Sequence, residues 1–198
     1  MSVPLISTLE PRRTAVLSLD IQTALVAIYA KDSPDFMSTV PSVIAHCRKV
    51  HANLVHVRVG FRPGFPEVSE RNRFLAAMKA DPQHRQIFQG ELGAIHPAVA
   101  PESEEVVITK HRVSAFQGTD LGIILRSKEI DTLVLFGIAT SGVVLSTALE
   151  ATDLDYRVFV VKDCCVDLDS EVHSCVLDKL LTGRTTVLTA GQLIENLN

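Results

Sequence analysis

Tryptophan is absent from this 198-residue chain, so no indole is available as a stacking platform. No Lys/Arg-rich block and no aromatic–basic stripe occurs, and the formal net charge is −4. Phosphate neutralisation needs a basic surface, which disfavours nucleic acid as a partner. No apolar stretch reaches the roughly 20 residues that span a bilayer. Met1 to Thr14 carries prolines and charges without a long apolar run, unlike a secretory signal. The expectation is a soluble, cytoplasmic protein with no membrane partner. The four cysteines, Cys47, Cys164, Cys165 and Cys175, lack the spacing of a zinc ribbon or finger. Adjacent Cys164 and Cys165 do not pair easily, and thiols are expected throughout. The seven histidines show no ligand spacing, so no metal is expected. No glycine fingerprint follows the first strand, where Asp20-Ile21-Gln22 stands instead. That ranks a dinucleotide domain last, and no cofactor is expected.

What is present is an ordinary globular balance, 46% hydrophobic and 21% charged. The length suits one domain over residues 1–198, since domains commonly run to roughly 100–200 residues. Short apolar runs alternate with helical patterns. Strands are expected at 15–20, 54–59, 106–110, 132–136, 157–161 and 185–188. Helices are expected at about 38–51, 121–128, 141–153, 170–181 and 190–196. Between Phe61 and Pro101 a proline-punctuated polar stretch interrupts the alternation. So long an insertion is often a lid or an oligomer contact, with room for a short helix around Glu70 to Lys79. Six strands alternating with helices predict a three-layer α/β/α sandwich, Rossmann-like, around a six-stranded, mainly parallel sheet. Ligands of such sheets bind beyond the carboxyl ends of the strands.

Asp20 closes the first strand. A carboxylate there serves as an acid or base once its surroundings tune it, or simply as a helix cap. Lys110 closes the third strand, and a buried lysine needs a partner; Asp20 is a candidate, and a solvated strand-end charge is the alternative. The segment Gly137-Ile138-Ala139-Thr140-Ser141-Gly142-Val143 leaves a buried strand and enters a helix. Free amides of its first turn, including Gly142 and Val143, would form an anion site. An ordinary glycine-containing crossover would look similar. Arg58 and Arg62 offer either a carboxylate clamp or a surface ion pair. Phe116 reads as a pocket wall or as core.

Together these residues resemble the isochorismatase-like, or cysteine hydrolase, superfamily. The matching pieces are Leu17 to Gln22, Thr109-Lys110 through Ser114-Ala115-Phe116 to Leu121, and Gly137 to Thr140 through Ser146 to Ala148. Val161-Lys162-Asp163 and Glu171-Val172-His173 also fit. The resemblance covers nearly the whole chain and implies a catalytic Asp, Lys and Cys. Asp20 and Lys110 match the first two, and the cysteine position falls on Val143. It further implies a cis peptide near Ile138–Ala139. Substrate contacts are expected from Gln22, Arg58 and Phe116, and from Ile138, Ala139, Ser141 and Gly142.

Valine removes the thiolate that attacks an amide or nitrile carbon. Isochorismatases of this family also lack the cysteine; they protonate a vinyl ether with an Asp and let water attack the cation. Ala139-Thr140-Ser141 is closer to the amidase branch, where isochorismatases carry an aromatic residue and a His. Two readings follow. One is a hydrolase of a small carboxylate- or carbonyl-bearing molecule, working by Asp/Lys acid–base chemistry without a thiol. The other is a catalytically silent relative that binds a small ligand or a protein. Self-association as a homo-oligomer is expected by resemblance.

Overall fold

A computed structural model describes residues 8–198. Six strands form one sheet: β1 (Thr14–Leu19), β2 (Asn53–Val59), β3 (Val106–Lys110), β4 (Thr132–Ile138), β5 (Arg157–Val166) and β6 (Thr186–Leu188). Their order is β3-β2-β1-β4-β5-β6, and every pairing is parallel. The sheet expected to be mainly parallel is therefore wholly so.

β1 and β4 are buried at every position. That fits their near-continuous apolar runs, because a parallel strand covered on both faces has no polar side. The helices are α1 (Thr23–Tyr29), α2 (Phe36–Lys49), α3 (Arg73–Ala80), α4 (Pro82–Gln89), α5 (Leu121–Ser127), α6 (Leu145–Asp153), α7 (Ser170–Cys175) and α8 (Ala190–Asn196). They complete a three-layer α/β/α arrangement. None of the described helices is long and apolar enough to cross a membrane.

Three differences from the sequence reading matter for the site. α1 was not foreseen, because no capping side chain marks its start: its N-cap residue, Gln22, makes no capping bond. The helices expected at 141–153 and 170–181 each contain a wider turn, Thr140–Val144 before α6 and Val176–Leu181 after α7. β5 runs five residues beyond its expected end. Its register against β4 slips between Leu135 and Gly137, so β5 bulges where no apolar period announces a strand.

The 61–101 stretch is not a structureless loop. It holds α3 and α4, each started by a side-chain cap, Asn72 accepting from Leu75 N–H and Asp81 from Gln83 N–H. Phe61, Phe65, Val68, Leu75 and Phe88 give it a small core of its own.

Candidate active site

The carboxyl ends of β1, β3 and β4 meet around a cavity of about 210 Å³. This is below the usual ligand pocket of about 300–1,000 Å³. Asp20, Lys110 and Val143 all line it.

Asp20 follows β1 directly, with its backbone at φ 53°. A non-glycine residue in that left-handed region is uncommon and is found at turns and functional sites. Its backbone N–H donates to the Val57 carbonyl at 2.8 Å. Asp20 does not cap α1, so the cap reading of this carboxylate does not describe the structure. Its side chain is buried, and Lys110 Nζ donates to Oδ2 at 2.7 Å. Lys110 is 3% exposed and also donates to the Arg112 carbonyl at 3.1 Å. Asp20 Oδ1 has no hydrogen-bond partner among the described residues. Burial pushes the Asp20 carboxyl above its ordinary pKa, because the charged form is poorly solvated there. The Lys110 ammonium opposes that rise without cancelling it.

The third wall is the turn after β4. Gly137 takes φ 143°, and a Cβ there would overlap the Leu19 carbonyl oxygen. Glycine is what lets β4 close on the end of β1, in the register Leu19↔Gly137. The peptide Ile138–Ala139 is cis, as the resemblance implied. Ile138, Ala139, Ser141 and Gly142 all line the cavity with Val143.

The turn's amides are not all free, contrary to the expectation of an open anion site. Ser141 N–H and Oγ–H both donate to Asp167 Oδ2 at 2.7 Å. Gly142 N–H donates to the Ala139 carbonyl at 3.1 Å. The carboxylate that a helix start attracts is here supplied by the chain itself, from the end of β5. Behind the turn, Thr140 Oγ1 lies 2.8 Å from His173 Nδ1 and 3.1 Å from the Val166 carbonyl.

Three expected contact residues are not brought to the cavity. Gln22 is fully buried and donates through Nε2 to the carbonyls of Val59 (3.0 Å) and Gly93 (2.7 Å). Its Oε1 accepts from Val59 N–H at 2.8 Å. With every group of its amide spent on backbone, Gln22 straps the 61–101 segment to the ends of β1 and β2. Arg58 donates to Thr109 Oγ1 at 3.0 Å and lines a separate hollow with Arg62 and His111. Arg62 pairs with Glu67 at 2.6 Å. Phe116 is buried in the main core and stacks on Tyr156.

Residues that the sequence reading missed take their place. Tyr29, Arg112 and Asp167 supply polar atoms, and Phe74, Leu75, Met78 and Phe88 from α3 and α4 form an apolar wall. The signal for Arg112 was its place two residues after Lys110, in the bent segment leaving β3. Tyr29 and Asp167 lie on α1 and just after β5, stretches whose regular structure left no periodic signal.

None of the four cysteines lines this cavity. Cys47, Cys164 and Cys165 are buried thiols. Burial pushes Cys47 and Cys165 up to about 12 and raises Cys164 as well, which makes them inert rather than nucleophilic. Cys164 and Cys165 pack at the end of β5, as expected of small residues there.

The isochorismatase domain family model matches residues 14–192. A maleamate amidohydrolase of Pseudomonas putida is 27% identical over 191 residues, covering 94% of this chain and 87% of that protein. Among solved structures, an isochorismatase family protein of Burkholderia thailandensis superposes with a TM-score of 0.84 at 28% identity, covering 98% of this chain and 99% of that one. A cysteine hydrolase of Pseudomonas syringae superposes with a TM-score of 0.87 at 22% identity, covering 99% and 98%, and so shares the fold. The chain belongs to the isochorismatase family, whose members among its relatives include hydrolases.

Proposed function

We propose that this chain hydrolyses a small carboxylate- or carbonyl-bearing molecule with Asp20 and Lys110, and without a covalent thiol intermediate. One observation carries the reading. A buried carboxyl with a raised pKa, whose Oδ1 has no partner among the described residues, lines the same cavity as Val143, which we read as the nucleophile position of the family.

The steps follow from that geometry. Asp20 Oδ1–H protonates the substrate at the bond to be broken. The carboxylate left behind is stabilised by Lys110, whose Nζ already donates to Oδ2. That bond breaks and the leaving group departs with the proton from Asp20; water adds to the electrophilic carbon and returns a proton to Asp20, so the acid is restored and one water is consumed. Lys110 holds the carboxyl in place and is not itself deprotonated in any step. The apolar wall of α3 and α4 limits water at the reacting bond.

Asp20→Asn removes the acid while keeping shape. Turnover of any substrate found by screening amides, esters and vinyl ethers is expected to fall at least about 100-fold; retained turnover overturns the reading. The pH profile gives a second check. The protonated acid is populated below the raised pKa, so rate declines as pH rises through it. Lys110→Met deletes the cation that holds that pKa down. Residue-specific NMR titration of Asp20 is then expected to show the midpoint moving to higher pH.

The engaged amides of the turn support a second reading. With Ser141 N–H given to Asp167 and Gly142 N–H to Ala139, fewer donors remain for a developing oxyanion. A catalytically silent, ligand-binding relative fits that. Silence across the substrate screen, with tight binding of a small acid by calorimetry, selects it over hydrolysis. Either form is proposed to self-associate, with Phe74, 65% exposed at the mouth of the cavity, as apolar surface for a second copy to cover. Sedimentation is expected to report more than one chain per particle, and a monomer at all concentrations overturns it.

A further inference from the structure

The cavity contains two cations of different standing. Lys110 Nζ is already taken up by Asp20 Oδ2 at 2.7 Å and by the Arg112 carbonyl at 3.1 Å. Arg112, two residues on, forms no ion pair among the described residues. Its Nη1 donates to the His111 carbonyl at 2.6 Å and its Nη2 to the Glu67 carbonyl at 3.0 Å. Both partners are neutral backbone oxygens. They hold the guanidinium in place without cancelling its charge.

From this geometry we infer that Arg112 is the carboxylate anchor of the cavity, and that its ligands are small monoanionic acids. A guanidinium has five N–H donors in a rigid fork. Two are spent on the carbonyls, and the remaining donors stay available to a ligand that shares the cavity. Two elements fix the fork from opposite sides: the segment leaving β3 through His111, and the 61–101 segment through Glu67. Little side-chain freedom is left to lose on binding, which favours affinity.

Arg112 is also tied to the reacting pair. Lys110 Nζ donates to the Arg112 carbonyl at 3.1 Å, so anchor and acid are separated by one short piece of chain. Asp20 and Arg112 also line the one cavity of about 210 Å³, which leaves room for only a short body between a ligand's carboxylate and its reacting bond. The remainder of such a ligand meets Leu75, Met78, Phe88 and Val143, which suit a short apolar or unsaturated body. Asp167 carries the cavity's other carboxylate; its Oδ2 accepts from Ser141 and its Oδ1 from Leu168 N–H at 2.8 Å, neutral donors that leave its charge in place, which disfavours a second carboxylate on the ligand and suits a monoanion. Arg58 and Arg62, the arginines favoured by sequence position, line a different hollow.

The inference rests on the hydrolase reading only for where the reacting bond lies. Binding itself is tested without turnover. Calorimetry on the full chain compares succinamate with succinamide, and benzoate with benzamide, which changes the ligand charge at nearly constant shape. The wild-type chain is expected to bind each acid about 10- to 100-fold more tightly than its amide, the usual range for a hydrogen bond to a charged group. Arg112→Gln is expected to bring that ratio close to one, and Arg112→Lys to retain part of it, because a point charge lacks the fork. Arg58→Gln, which alters the same net charge outside the cavity, is expected to leave the ratio unchanged. Thermal melts show that each variant is folded, and Arg112→Lys carries the test if Arg112→Gln is not. Equal binding, or none, of acid and amide by the wild-type chain overturns the inference. So does a ratio that survives in a folded Arg112→Gln, or that falls equally in Arg58→Gln. If the ratio behaves as expected and no substrate is ever turned over, the anchor stands and the hydrolytic reading alone fails.

Discussion

Replacing Val143 by cysteine isolates the contribution of one side chain to this site. Val143 is 3% exposed and lines the same cavity as Lys110. A thiol at a helix start beside an ammonium ionises more easily than a free one. Val143→Cys is expected to alkylate with iodoacetamide at neutral pH about tenfold faster than the exposed Cys175, mapped peptide by peptide. The buried native thiols are internal controls, since burial suppresses their ionisation. An introduced thiol slower than Cys175 would mean that position 143 does not face the acid pair. Asp20 and Lys110 were legible at this scale because each ends a recognisable strand and carries a charge that burial must answer. Arg58 and Arg112 show what was not. Val59 lines the cavity and its neighbour Arg58 does not, since adjacent residues of a strand face opposite sides. Thr109 and His111 share the hollow of Arg58, whereas Lys110 and Arg112 share the cavity. The alternation was readable, but which parity faced the cavity depended on packing against α3 and α4.

Among the elements, the turn from β4 into α6 carries the most constraint. Gly137→Ala would set a methyl group against the Leu19 carbonyl at a backbone angle that side chains rarely adopt. A loss of about 3 kcal/mol or more is expected. In a chain of this length that is a fall of roughly 6–12 °C in melting temperature, read by calorimetry. A change below about 1 kcal/mol would show that β4 can withdraw from β1 without cost. All six strands were legible from their short apolar runs, and α2, α5, α6, α7 and α8 from their periodicity, whereas α1 was not. The wider turns at 140–144 and 176–181 were not, because a π-type turn leaves no signature that distinguishes it from the helix it continues into. The extension of β5 escaped for a related reason. Lys162 and Asp163 break its apolar run, and only the structure shows Asp163 Oδ1 accepting from Ala190 N–H at 2.8 Å to start α8.

At the scale of the whole molecule, the strand order puts the site where connections from the neighbouring strands β1 and β4 depart toward opposite edges, the switch point of an open parallel sheet. The opposite end of the sheet is held by a second charged cluster, centred on Glu105 just before β3. Arg48 of α2 donates to Glu105 through Nε (2.8 Å) and Nη2 (2.9 Å). Glu102 N–H donates to Oε2 at 2.9 Å, and His56 Nε2 of β2 lies 2.9 Å from the same oxygen. His56 is buried and its pKa is lowered by that burial, with Nδ1 lacking a partner among the described residues. Neutral His56 with its proton on Nε2, donating to Glu105, satisfies both facts. The Arg48 guanidinium, more than any other group, drives the Glu105 carboxyl from 4.5 to about 2. A carboxyl titrating lower in the folded chain than in the unfolded one binds fewer protons when folded, so it adds stability above its unfolded pKa. That contribution is full above about pH 4.5 and fades as pH falls toward about 2. Glu105→Gln is expected to cost about 1–3 kcal/mol at neutral pH by denaturant unfolding, with Arg48 keeping Glu102 at 3.2 Å as a residual partner. The same variant is expected to lose this part of the acid-limb decline, so the difference from wild type narrows steadily below pH 4.5. A difference that stays constant down to pH 2 would mean that the cluster stabilises the sheet through shape and not through charge.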